Sequence, residues 1–130
     1  MADNMQMKDV VYCHGAVKDI SAEYRKSSIF VLSSRFEGFG LVLAEAMSSG
    51  LASVAFACPC GPKDIIKDGE DGILCQNGNT DELALGICRL IENENERKEM
   101  GRKALQNIKR YNIDNIMRQW DCLFKEIVAQ

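Results

Sequence analysis

The sequence predicts an α/β fold in which a parallel sheet carries helices on both faces. Three observations point there. Short apolar runs alternate with longer amphipathic ones along the 130 residues. At least one apolar run, Ile29-Phe-Val-Leu32, is continuous rather than alternating, as in strands covered on both sides. A strand–helix–strand–helix–strand succession requires crossovers, which join parallel strands.

Val10-Val-Tyr-Cys13 reads as the first strand and runs into His14-Gly15. Asp19 caps a helix through about Ser27, with Ile20 and Tyr24 four apart on one face. Ile29 to Leu32 is the second strand, expected to be buried on both faces. Ser33 to Phe39 is a loop, Gly40 to Ser49 is helical, and Gly50 stops that helix. Ser53 to Ala57 is the third strand. Residues 58 to 62 form a Cys/Pro/Gly loop, and Pro62 opens a short helix through Ile66. Asp68-Gly69 and Asp71-Gly72 are turns before a short strand, Ile73 to Cys75.

Thr80 is expected to cap a helix from Asp81 to about Asn93, with Leu83, Ile87, Leu90 and Ile91 as its apolar stripe. Glu94 to Arg110 is a second, highly charged helical stretch that buries Met100, Ala104, Leu105 and Ile108. Ile113 to Val128 is a third, with Ile116, Met117, Trp120, Phe124 and Ile127 at helical spacing. Four strands make a small sheet for so many late helices, so an amino-terminal part of the domain is expected to be missing. The expected division is a disordered leader over 1–9, a partial domain over 10–112, and a terminal helix over 113–130.

Composition narrows the function classes. The chain is 46% hydrophobic and 27% charged, an ordinary globular balance. A net charge of -3 offers no electrostatic footprint for nucleic acid or an anionic membrane. No apolar run approaches the roughly 20 residues of a membrane span. The first residues lack the apolar core of a signal peptide, so the six cysteines are expected to be reduced thiols in a cytosolic protein. Cys13, Cys75 and Cys88 lie in apolar or amphipathic runs and are expected to be small buried hydrophobes. Cys58-Pro-Cys60 with His14 lacks zinc-site spacing, so no metal is expected.

Ligands of parallel sheets bind at the carboxyl ends of the strands. That rule selects the loops around 14–18, 33–40 and 58–62. Gly38 and Gly40 let backbone approach a ligand closely, and the helix beginning near Leu41 presents free N–H groups to an anion. Glu45 lies about one turn further, roughly 6–7 Å from that anion site. A ribose diol lies at about that reach from a diphosphate. Glu37 stands on the other side, placed for sugar hydroxyls. The alternative is that Glu45 pairs with a buried cation such as Arg35 while Glu37 is merely solvated. Two carboxylates around two glycines favour the ligand.

Ser34-Arg-Phe-Glu-Gly-Phe-Gly-Leu-Val-Leu-Ala-Glu-Ala-Met-Ser-Ser-Gly50 resembles the signature of glycosyltransferase family 4. These are retaining enzymes with two Rossmann-like domains, the GT-B architecture. The resemblance extends to Gly61-Pro-Lys-Asp-Ile-Ile-Lys-Asp-Gly-Glu-Asp-Gly72 and to the Met-Gly-x-x-Ala segment, Met100 to Ala104. It implies the carboxyl-terminal, donor-binding domain. Glu37 would be the catalytic-site carboxylate holding donor-sugar hydroxyls. Gly38, Phe39, Gly40 and Leu41 would offer N–H groups to sugar and diphosphate, and Glu45 would bind the ribose diol. Gly15, Ala16 and Val17 would lie near the base. No metal or other cofactor is implied, because the nucleotide sugar is the substrate.

The implied donor is a UDP-sugar or GDP-sugar. The implied acceptor is a glycan or lipid-linked sugar bound by an absent amino-terminal domain. The family's basic pair for the diphosphate would also precede this chain, so the fragment is expected to be inactive alone. The Cys58-Pro-Cys60 variant is similar to enzymes building capsules and lipopolysaccharides, in the cytoplasm or peripherally at the inner membrane face.

Competing readings are a noncatalytic nucleotide-binding or scaffolding domain and a signalling receiver. The receiver needs acidic residues at its strand ends, which Ile29 to Ser34 lacks. A hydrogen-bonded structural His14 and an Arg35 ion pair with Glu37 or Glu45 are expected. Lys63 is equally readable as donor-proximal or solvated. Trp120 and Phe124 read as core or domain-docking residues, and Glu92 to Lys103 as a solvated face.

Overall fold

The computed structural model describes residue 7 and residues 9–129. Its elements run α1 (Ile20–Lys26), β1 (Ile29–Leu32), α2 (Leu41–Ser48), β2 (Ala52–Phe56), α3 (Pro62–Ile65) and β3 (Ile73–Cys75). Then follow α4 (Thr80–Glu92), α5 (Glu94–Asn107), a 3₁₀ turn (Ile108–Tyr111) and α6 (Ile113–Val128). The three strands form one parallel sheet in the order β1-β2-β3.

β2 is the axis of the fold. Every one of its residues is buried, because helices cover both faces and strands pair on both sides. One face packs Leu32 and Ala55 against Leu43 and Met47 of α2, Ile65 of α3 and Ala104 of α5. The other packs Ala52, Val54 and Phe56 against Leu83 and Leu90 of α4 and Met100 of α5. Helix α5 therefore contributes to both layers.

Local signals explain the ends of the elements. Asp19 caps α1 by accepting from the Ala22 amide at 3.1 Å. Pro62 occupies the first turn of α3, where its missing N–H costs nothing. Gly50 follows α2 with φ 77° and lets the chain reverse into β2. Helix α4 begins one residue earlier than expected. Asn79, not Thr80, is its cap and accepts from the Glu82 amide at 3.1 Å.

Several expectations are corrected. Val10 to Cys13 is not a strand; it is exposed, and among the described residues nothing pairs with it. An apolar run becomes a strand only with a hydrogen-bonding neighbour, and β1 takes its ladder from β2 alone. For the same reason β1 is not buried on both faces, and Val31 is 39% exposed. Ile91 and Leu105 sit at the edges of their helical stripes and face outward. Cys13 and Cys88 are exposed, whereas Cys58 and Cys75 are the buried thiols among six free cysteines.

The expected leader over 1–9 falls mostly on residues outside the described ones. No residue of α6 is buried, so Trp120 and Phe124 are not core here. Their rings lie side by side, tilted 32° to each other with centroids 5.5 Å apart. Among the described residues no helix is long and apolar enough to cross a membrane.

Candidate donor site at the start of helix α2

The loop over 33–40 leaves the carboxyl end of β1, and the loop over 57–61 leaves that of β2. Both flanks of the first loop are held. Asn77 donates from Nδ2 to the Arg35 carbonyl at 2.9 Å. The Phe39 carbonyl presses against Gly61, which has φ 77° and no room for a Cβ. The Phe39 ring meets Tyr111 edge-on, with centroids 5.4 Å apart. Tyr111 in turn donates its hydroxyl to the Asp64 carbonyl at 2.8 Å. This segment is thus held at both ends by contacts from residues far along the chain.

Helix α2 starts on Gly40, in the left-handed region at φ 87° and ψ 51°. The amides of Leu43 and Ala44 donate to the Gly40 carbonyl. No side chain caps the helix, and its first turn carries no acidic residue. The Leu41 and Val42 amides therefore have no side-chain acceptor, and the positive end of the helix dipole is unneutralised.

Glu45 sits one turn on. It is exposed, where the apolar neighbours of α2 suggested burial. Its Oε2 accepts a hydrogen bond from the Tyr24 hydroxyl at 3.2 Å. Burial, and then the charge and hydrogen bond of Glu45, push the Tyr24 phenol above its ordinary range. A cleft of about 640 Å³ runs along α2 from Leu41 past Glu45 to Ser48, walled by α1 on one side and the 3₁₀ turn on the other.

Glu37 is half-buried in the loop before α2, and its Cβ lies 3.4 Å from where a Gly61 side chain would begin. It does not line the Glu45 cleft. Burial, with the Glu37 charge adding, pushes the neighbouring Cys58 thiol up. The Cys58 thiol donates to the Cys60 carbonyl at 3.4 Å.

Glu37 lies against Gly61 and Glu45 lines the cleft, so the two glutamates do not share one cavity. Gly38, Phe39, Gly40 and Leu41 lie between them. Gly15, Ala16 and Val17 lie in the exposed segment before α1 and line no part of the cleft.

Arg35 does not pair with either glutamate. Its guanidinium lies beside Gly78, and among the described residues it makes no ion pair. Among the described residues Glu37 and Glu45 make none either. His14 is exposed and has no hydrogen-bond partner among the described residues. Lys63 is exposed on α3. Sequence reasoning missed the roles of Tyr24 and Tyr111. Each reaches its partner across a long sequence separation that no local pattern reveals.

Comparison with known proteins identifies the family of the chain. The family described as "Glycosyl transferases group 1" matches residues 1–107. The chain is 38% identical over 97 residues to the poly(ribitol-phosphate) alpha-N-acetylglucosaminyltransferase of Staphylococcus aureus, covering 74% of this chain and 20% of that protein. It is 36% identical over 104 residues to the amylovoran biosynthesis glycosyltransferase AmsD of Erwinia amylovora, covering 80% of this chain and 29% of that one.

Among solved structures, a variant of S. aureus TarM in complex with fondaparinux, alpha-GlcNAc-glycerol and UDP superposes with a TM-score of 0.89 at 31% identity. That match covers 95% of this chain and 25% of TarM. The chain spans 14–34% of the length of the curated relatives it matches.

Proposed function

Because the chain belongs to the glycosyl transferases group 1 family, we propose that Glu37 to Glu45 form one wall of the donor site of a retaining family 4 hexosyltransferase. The observation that carries this is the cleft along α2, which joins an uncapped helix N-terminus to a carboxylate one turn away. A nucleoside diphosphate has that spacing of charges and hydroxyls. Its diphosphate would sit on the Leu41 and Val42 amides. Its ribose diol would donate two hydrogen bonds to Glu45.

The sugar would then project toward Gly38 and Glu37, whose carboxylate would hold its hydroxyls. The amides of Gly38 to Leu41 would stabilise the charge developing on the leaving diphosphate without a metal. The donor in this reading is a UDP-linked hexose or N-acetylhexosamine, with Gly15 to Val17 near the base. The acceptor is a glycan or lipid-linked sugar of a surface polysaccharide, and the reaction is cytoplasmic. The UDP in the TarM complex and the relatives named for amylovoran biosynthesis and for poly(ribitol-phosphate) N-acetylglucosaminyl transfer support this choice. Residues 10–112 would be the donor domain, and residues 113–130 a helix that docks on another domain. Transfer would require parts beyond this chain, so the chain alone would bind without turnover.

Titration of UDP, UDP-glucose, UDP-N-acetylglucosamine and GDP-mannose by calorimetry tests this. Saturable UDP binding that weakens at least tenfold in Glu45→Ala, with unchanged circular dichroism, is expected from the loss of charged hydrogen bonds. No saturable UDP binding, or binding indifferent to Glu45→Ala, would overturn the reading for this chain. UDP binding that takes no advantage of any attached sugar would instead favour a noncatalytic nucleotide-binding domain.

A further inference from the structure

Helix α1 carries one buried residue, Tyr24, and that residue reaches Glu45. Its ring is fixed edge-on to Phe30 of β1, with centroids 6.0 Å apart and planes at 81°. Ala46 and Leu51 complete the same apolar cluster. Only the hydroxyl leaves this cluster. It faces two acceptors, Glu45 Oε2 at 3.2 Å and the Val42 carbonyl at 3.4 Å. A phenol has one proton, and the charged acceptor is both nearer and stronger.

We propose that Tyr24 is a positioning residue: its hydroxyl sets the Glu45 carboxylate for a ribose diol and thereby sets the preference for ribonucleotides over 2′-deoxyribonucleotides. This rests on the donor-site reading given above.

Glu45 is an exposed side chain with several free torsions, and left alone it would sample many rotamers. A bidentate contact to two vicinal hydroxyls needs one of them. The phenol occupies one lone pair of Oε2 and leaves the other Oε2 lone pair and both on Oε1 for the ligand. The donor stays a donor throughout the physiological range, since burial and the adjacent carboxylate both oppose its ionisation.

The full chain is titrated with UDP and with 2′-deoxyuridine diphosphate, as wild type, Tyr24→Phe and Glu45→Ala. Tyr24→Phe keeps the ring in its cluster, and an unchanged unfolding midpoint confirms it. The ratio of the two affinities is the readout, because a merely structural defect would weaken both ligands alike. The wild-type preference for UDP should fall about three- to tenfold in Tyr24→Phe, the scale of one net hydrogen bond. In Glu45→Ala it should vanish.

A ratio lost in Glu45→Ala but intact in Tyr24→Phe would overturn the positioning role and leave the donor site standing. A wild type that ignores the 2′-hydroxyl, or does not bind UDP, would overturn the ribose assignment and the proposal with it. A ligand-free arm tests the contact directly. The Tyr24 phenol, followed by carbon NMR at Cζ, should titrate lower in Glu45→Gln; an unmoved titration would overturn the proposal.

Discussion

The carbonyl oxygen of Phe39 fills the space in which residue 61 would carry a side chain. Gly61 is at φ 77° and ψ -91°, a conformation other residues rarely adopt. Two loops from two neighbouring strands are thereby interlocked, backbone against Cα, beside the start of α2.

Gly61→Ala should therefore lower stability by about 2–4 kcal/mol, combining backbone strain with a clash that no flexible side chain can relieve. Gly69 has a similar φ of 73° but no neighbour within 4 Å. Gly69→Ala should cost only about 1–2 kcal/mol. Urea unfolding of both variants measures the difference. Equal losses would show that the Phe39 contact does not constrain position 61.

The sequence was legible where chemistry is local. Asp19, Pro62 and Gly50 each mark a helix boundary that the structure realises. Local rules could not choose between Asn79 and Thr80, two adjacent residues that both make good caps. They placed Glu37 and Glu45 around one helix start. They could not see that Glu45 is open to solvent and held by a residue 21 positions earlier. Pairing is equally nonlocal: Val10 to Cys13 has the composition of a strand and no partner among the described residues.

Glu37 lies against Gly61, outside the cleft that Glu45 lines, so their losses should separate by ligand. Glu37→Ala should leave UDP affinity within about twofold. It should abolish any extra affinity that a UDP-sugar shows over UDP, a gain of about tenfold for one charged hydrogen bond. Glu45→Ala should weaken both ligands in parallel. Calorimetric titration of each variant with UDP and UDP-sugar tests this, and a parallel loss in Glu37→Ala would contradict the assignment.

Stability should fall in alkaline solution because of Cys75. Burial, with the charges of Glu82 and Asp68 adding, pushes its thiol from 9.0 up to about 11. The unfolded chain ionises this thiol first. The stabilisation is complete below pH 9 and is lost between pH 9 and about 11, on the order of 2–3 kcal/mol in all. The Cys75→Ala variant should be less stable at pH 8 but show a flatter decline over that interval. Urea midpoints at several pH values decide this, and identical slopes would remove Cys75 as the cause.

Helix α6 should be nearly independent of the rest. None of its residues is buried, and Trp120, the single tryptophan, is 49% exposed. Its fluorescence should be red-shifted and quenched by iodide. Truncation after Asn112 should change the stability of the remaining chain by less than about 1 kcal/mol. A blue-shifted, protected tryptophan would mean that α6 is covered in solution, by another copy of the chain or by its own body.

Gly40 has a consequence for anyone seeking a hardier protein from this chain. An uncapped helix start invites an oxygen-bearing residue, and asparagine is the one that best tolerates a left-handed backbone. At this position a Cβ would meet Leu43, Ile65 and Leu32, so the new polar group would enter the apolar layer under α2. The usual route to a sturdier helix is closed here, and the amides of Leu41 and Val42 stay open whatever heat selection demands.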